Sequence, residues 1–191
     1  TAMVARRVGE KNYTGANQAG MQAIILALGI TVIISILGVI YADEILRLMG
    51  AEAETIKTGT TYTRIVMGSS AVIMLLFLIN GIFRGAGDAM IAMKSLWVAN
   101  ICNIILCPLL IRGLGRIPAF GLTGAAMATT IGRGIGVSYQ LYHLFKGNGI
   151  IRFHPELMKP VKEILQSLVK IAWPATIQFL IGSGSWIVLA S

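Results

Sequence analysis

The sequence predicts an all-α fold: a polytopic bundle of helices that crosses a membrane several times. Three observations carry this. Apolar residues make up 55% of the chain and charged residues 13%, about half the ~25% charged fraction usual in soluble domains. The apolar residues fall in long runs that reach the ~17–25 residues a helix needs to cross the hydrocarbon core. The charges stand between these runs and are nearly absent inside them.

Taken in order, Thr1–Val4 is a short apolar stretch, and Ala5–Asn12 carries Arg6, Arg7 and Lys11 against Glu10. Gln22–Ala42 is the first complete run, uncharged and rich in Ile, Leu, Val and Gly. Asp43–Thr63 is mixed, and its spaced apolar residues predict a short helix at the interface, with Tyr62 near the boundary where amphipathic rings are favoured. Ile65–Phe83 and Ser95–Ile111 are two further spans, joined by the tight polar loop Arg84-Gly85-Ala86-Gly87-Asp88. In that loop the glycines permit a sharp turn, and Asp88 is expected to cap the helix that follows.

After Arg112–Ala119 comes Phe120–Phe145, interrupted only by Arg133. Its Gly121, Gly124, Ala125, Ala126 and Ala128, continued by Gly132, Gly134 and Gly136, predict a smooth face for close helix packing. From Glu156 to Leu168, Leu157, Val161, Ile164, Leu165 and Leu168 recur at helical spacing, which predicts an amphipathic helix on the membrane surface with Pro160 in its first turn. Ile171–Ser191 is the fifth span and holds Pro174 and Gln178.

The net charge of +8 does not point to nucleic acid, whose binders gather their basic residues on one patch of a folded domain. Here they lie in loops. Ten fall in the first, third and last of these (Arg6, Arg7, Lys11, Arg84, Lys94, Lys146, Arg152, Lys159, Lys162 and Lys170). Five (Arg47, Lys57, Arg64, Arg112 and Arg116) fall in the alternate ones. That bias places the richer set in the cytoplasm.

Inside the spans a few polar residues ask for an explanation. Asn100, Cys102 and Asn103 sit where lipid wants only carbon, and a buried amide must find partners. Arg133 is the only charge well inside a run; such residues are costly and rarely face lipid. It either snorkels to the cytoplasmic border or lines a substrate cavity. Gln178, beside Pro174, is a second cavity candidate. Cys102 and Cys107 point in different directions on one helix, so no disulfide and no metal site is expected. Gly-x-Ser-x-Gly, a Walker loop and His-Glu-x-x-His are all missing from the sequence, so neither an enzyme nor an ATP-driven pump is expected.

Three stretches in order resemble one family. Arg84-Gly85-Ala86-Gly87-Asp88 looks like its Arg-Gly-x-Gly-Asp turn. Asn100-Ile101-Cys102-Asn103-Ile104-Ile105-Leu106, followed by Pro108-Leu109-Leu110-Ile111, looks like its fifth helix. Pro118-x-x-Gly121-x-x-Gly124-Ala125-Ala126-x-Ala128-Thr129 looks like the start of its sixth. The chain thus resembles the multidrug and toxic compound extrusion (MATE) transporters over essentially its whole length.

The resemblance implies a two-lobed, twelve-helix fold of which this chain is an interior part. Residues 1–145 would hold first-lobe helices (end of helix two to helix six), 146–170 a cytoplasmic linker, and 171–191 the first helix of the second lobe. It implies a multi-pass protein of the plasma membrane. Its substrate would be a small organic cation, exported in exchange for sodium or protons, with no cofactor and with the remaining helices as partner. Asn103 and Thr129 match first-lobe cation-binding positions of the family. Cys107 stands where the family commonly has Asp, and a thiol is a poor counter-charge for a cation. A flippase for lipid-linked precursors or polysaccharides, of the same superfamily, is the alternative reading.

Overall fold

A computed structural model describes residues 1–113, 118–147, 149–152 and 161–190. The described residues form helices and no strand. The expected roles of Arg116, Leu157, Lys159 and Pro160, and the first turn of the expected surface helix, lie outside the described residues.

Helix α1 (Ala2–Gly9) turns sharply into α2 (Tyr13–Ile40), with Lys11 in the left-handed region at φ 57°. Asn12 caps α2: its Oδ1 accepts from the Gly15 N–H at 2.9 Å, satisfying a first-turn donor that the helix cannot. The helix therefore starts well before the run expected at Gln22. Its polar first turns are buried inside the bundle, Asn17 and Gln22 included, so weak hydropathy there reflects packing rather than a loop.

Helix α3 (Ala42–Leu48) is followed by α4 (Ala53–Gly68), and Arg64 reaches Asp43 at 3.6 Å across the pair. Then comes a departure from expectation. The span read as unbroken from Ile65 to Phe83 is two helices, α4 and α5 (Ser70–Gly85), bent by 40° at Ser69. The cause is local. Ser69 Oγ donates to the Val66 carbonyl at 3.1 Å, and Ser35 of α2 donates to the Gly68 carbonyl at 3.0 Å. Hydroxyls that compete for backbone carbonyls at a Gly-Ser step bend helices.

Helices α6 (Ala89–Arg112) and α7 (Gly121–Lys146) run antiparallel along the most extensive seam of the fold. A Cβ on Gly132 would lie 2.8 Å from the Ala99 carbonyl oxygen, and one on Gly136 would lie 3.1 Å from that of Ser95. Gly124 faces the Leu110 carbonyl in the same way. The expected small-residue face is thus real at Gly124, Gly132 and Gly136, whereas Gly121 and Gly134 face open space.

The last helix, α8, runs without a break from Lys162 to Ala190, so no boundary divides the expected surface helix from the expected final span. Ile164 is buried in the core, and Val161 and Leu168 pack against that core. The apolar stripe read as membrane-seeking is used inside the protein, while Lys162 and Glu163 stay exposed.

The arrangement inverts that of a soluble domain. Asn80, Ser95 and Gln140 are buried, while Ile33, Ile36 and Ile40 of α2 are more than half exposed; a contiguous apolar exterior is what lipid requires. By length and composition α2 and α6 each suffice to cross a membrane, and the bent α4–α5 pair makes a third crossing if it is counted as one span. Helix α7 is diluted by its glycines and polar residues, yet its seam with α6 gives it the same depth.

One end of the bundle is tied together by backbone contacts. Asn17 Oδ1 accepts from the Arg152 N–H at 2.6 Å, and its Nδ2 donates to the Ile150 carbonyl at 3.2 Å. Asp88 Oδ2 accepts from the Ile150 N–H at 3.4 Å, and Ile151 plugs the core beside Phe83 and Leu144. This corrects the expected cap: Asp88 makes no side-chain bond to the start of α6. Of the two loop glycines, Gly87 carries the turn at φ 91°. Gly85 instead lets α1 approach, since a Cβ there would lie 2.9 Å from the Thr1 carbonyl oxygen. The loops gathered here are those of the basic-rich set.

Candidate functional site

Two of the candidates named from sequence meet. Asn103 of α6 donates its side-chain amide to the Thr129 hydroxyl of α7 at 3.1 Å, and Thr129 donates onward to the Ala125 carbonyl of its own helix at 3.0 Å. Gly132 makes this possible: a Cβ there would stand 3.2 Å from the Asn103 backbone nitrogen. Both residues are part-buried. The pair joins the two helices, and the Asn103 carbonyl oxygen is the group left to receive a ligand.

Cys107 lies one turn beyond Asn103 on the same face of α6. Pro108, inside that helix, has no N–H to give the Ile104 carbonyl, so the backbone is loosened beside the pair. Asn100 is exposed and does not join the site. Gln178 is exposed on α8, which packs on α2, so the fold does not bring it to Asn103. Arg84 is exposed near the basic end.

As a cation site the set is incomplete. Asn103 and Thr129 offer neutral oxygens, and the Thr129 hydroxyl proton is already committed to Ala125. Cys107 replaces a carboxylate, and none of the chain's eight acidic residues lies in α5, α6 or α7. A sodium ion taken out of water needs its charge offset, and these residues do not offset it. Among the described residues no three His, Cys, Asp or Glu side chains gather as metal ligands.

Arg133 is at mid-length of α7, 12 and 13 residues from its ends, or roughly 18–20 Å along the axis each way. It is part-buried there.

The sequence reading passed over a second polar group. Asn80 of α5, Ser95 of α6 and Gln140 of α7 form a buried knot. Asn80 Nδ2 donates to Ser95 Oγ at 3.1 Å, and Gln140 Nε2 donates to the same oxygen at 2.9 Å. Gln140 Nε2 also donates to the Leu76 carbonyl at 3.2 Å, and Ser95 donates to the Ala92 carbonyl at 2.8 Å. The carbonyl oxygens of Asn80 and Gln140 are buried without a hydrogen-bond partner. A single amide inside each of two apolar runs was the available signal, the same one that singled out Asn103.

The MatE family model matches residues 1–109. The chain is 25% identical to the multidrug export protein MepA of Staphylococcus aureus over 97% of its own length and 40% of that protein. Among solved structures it is similar to the inward-facing conformation of a multidrug resistance MATE family transporter of the MOP superfamily. The identity is 31% and the TM-score 0.81, over 90% of this chain and 38% of that one. It is equally similar to the outward-facing conformation, at 30% identity and TM-score 0.84, over 94% and 39%. The chain thus spans about 40% of the relatives it matches. Helical bundle, inverted polarity, glycine seam and family match agree: the chain belongs to the MATE family of multi-pass membrane transporters.

Proposed function

We propose that this chain forms first-lobe helices of a transporter that exports small organic compounds across the plasma membrane, driven by a sodium or proton gradient. The observation that carries the reading is the Asn103–Thr129 pair, a polar contact at membrane depth between two apolar helices. Its setting is the family match and the name of the relative MepA, a multidrug export protein. The basic loops gathered at one end mark the cytoplasmic face.

The mechanism is alternating access. Similarity to both the inward-facing and the outward-facing relative supports a lobe that moves as a body while the path opens to one side and then the other. A ligand drives such an exchange only through different affinities for the two states. The coupling ion therefore needs a carboxylate whose surroundings change. No such group lies in α5–α7, so helices elsewhere in the transporter would have to supply it. Organic cations, the substrate class the resemblance implies, would be met by those same helices.

The test is efflux of ethidium from proteoliposomes holding the full-length transporter. Export that needs an imposed sodium or proton gradient is the expected result. No export under either gradient contradicts the reading.

A further inference from the structure

Arg133 stands on the inward stripe of α7. Ala126, Val137, Gln140 and Leu144 lie seven residues before it and four, seven and eleven after it, so all share its face. All four are buried, with Gln140 at 0% and Leu144 at 1% exposure. Arg133 is part-buried in the middle of that stripe. It takes part in no ion pair, hydrogen bond or ring contact among the described residues.

A guanidinium is a permanent cation in proteins. At membrane depth such a charge is costly, and it marks a functional site whose partner must be found. The chain offers no carboxylate at this level, because its eight acidic residues all lie outside α5, α6 and α7.

The surroundings suit an anion. Thr129 lies one turn earlier on α7, bonded to Asn103, whose amide has a second hydrogen to give. Helices α5 and α7 run parallel, and Gln140 bonds the Leu76 carbonyl. Seven residues back on each helix, Arg133 is level with Ser69 and Ser70 at the bend. Ser70 Oγ is buried there without a hydrogen-bond partner. A forked cation, an amide and a free hydroxyl at one depth are donors for a carboxylate, which a guanidinium binds through two parallel hydrogen bonds.

Resting on the transporter reading above, we propose that Arg133 sets the substrate class of the first lobe: it is the counter-charge for a carboxylate on the exported compound. The first lobe therefore favours acidic or zwitterionic organic molecules over purely cationic ones.

The experiment uses two dyes that share one ring system. Rhodamine B carries a free carboxylate, and in rhodamine 6G that group is an ethyl ester. Binding to the purified full-length transporter is followed by fluorescence anisotropy, for wild type, Arg133→Gln and Arg133→Lys. Wild type is expected to prefer rhodamine B. The affinity ratio of rhodamine B to rhodamine 6G should fall at least tenfold in Arg133→Gln, with Arg133→Lys between the two. An unchanged ratio in a folded Arg133→Gln protein overturns the assignment, as does a wild-type preference for rhodamine 6G. If ethidium is still exported under a gradient in those cases, only the substrate class has failed. If neither dye binds and ethidium is not exported, the transporter reading fails with it.

Discussion

The Asn103 side chain meets the Thr129 hydroxyl at 3.1 Å across the α6–α7 seam, because Gly132 leaves no side chain between the two backbones. The seam and the pair stand together. A lobe built this way can be tested at its packing, at its buried polar groups and at its transport chemistry.

Gly132→Ala places a methyl group 2.8 Å from the Ala99 carbonyl oxygen. Overpacking of this kind costs about 1–3 kcal/mol, so the melting temperature in detergent should fall. Gly134→Ala meets nothing within 4 Å and removes a poor helix former, worth up to ~1 kcal/mol, so its melting temperature should hold or rise. Equal effects at the two sites would mean that the seam is not packed as described.

Ser95→Ala removes the hydroxyl that accepts from both Asn80 and Gln140. Two buried amides then lose a partner, at about 1–3 kcal/mol each. A clear loss of thermal stability is expected in detergent, with Ser95→Thr closer to wild type. A neutral Ser95→Ala would show that the knot holds nothing.

Cys107→Asp restores a carboxylate one turn from Asn103. The negative charge offsets an entering cation. Gradient-driven efflux should become more sensitive to the coupling ion, seen as a lower half-saturating sodium concentration or a shifted pH profile. An unchanged ion dependence would say that first-lobe oxygens take no part in coupling.

Much of the fold was legible because hydrophobic runs and glycine spacing are local signals. The seam residues Gly124, Gly132 and Gly136 belong to a small-residue stretch that was legible, although Gly121 and Gly134 of the same stretch face open space, and Asn103 and Thr129 could be read from their place in apolar or family-like stretches. The bend at Ser69 was not legible, because it depends on Ser35 of another helix reaching the Gly68 carbonyl. The tie from Asn17 to Ile150 and Arg152 joins residues more than 130 positions apart, and no local pattern announces it. The role given to Asp88 failed for the same reason: a cap is a local guess, and a tertiary partner at Ile150 won. The inward setting of Arg133 became visible only when Ala126, Val137 and Gln140 were seen to be buried around it.

The most direct measurement compares gradient-driven ethidium efflux by wild-type and Asn103→Ala full-length transporter in proteoliposomes. Efflux that requires the gradient, and falls at least several-fold when the Asn103 amide is removed from a folded protein, is the predicted result. Wild-type vesicles that export nothing under either gradient, or an Asn103→Ala protein that exports as fast as wild type, would contradict the central claim that the Asn103–Thr129 pair lies on the transport path.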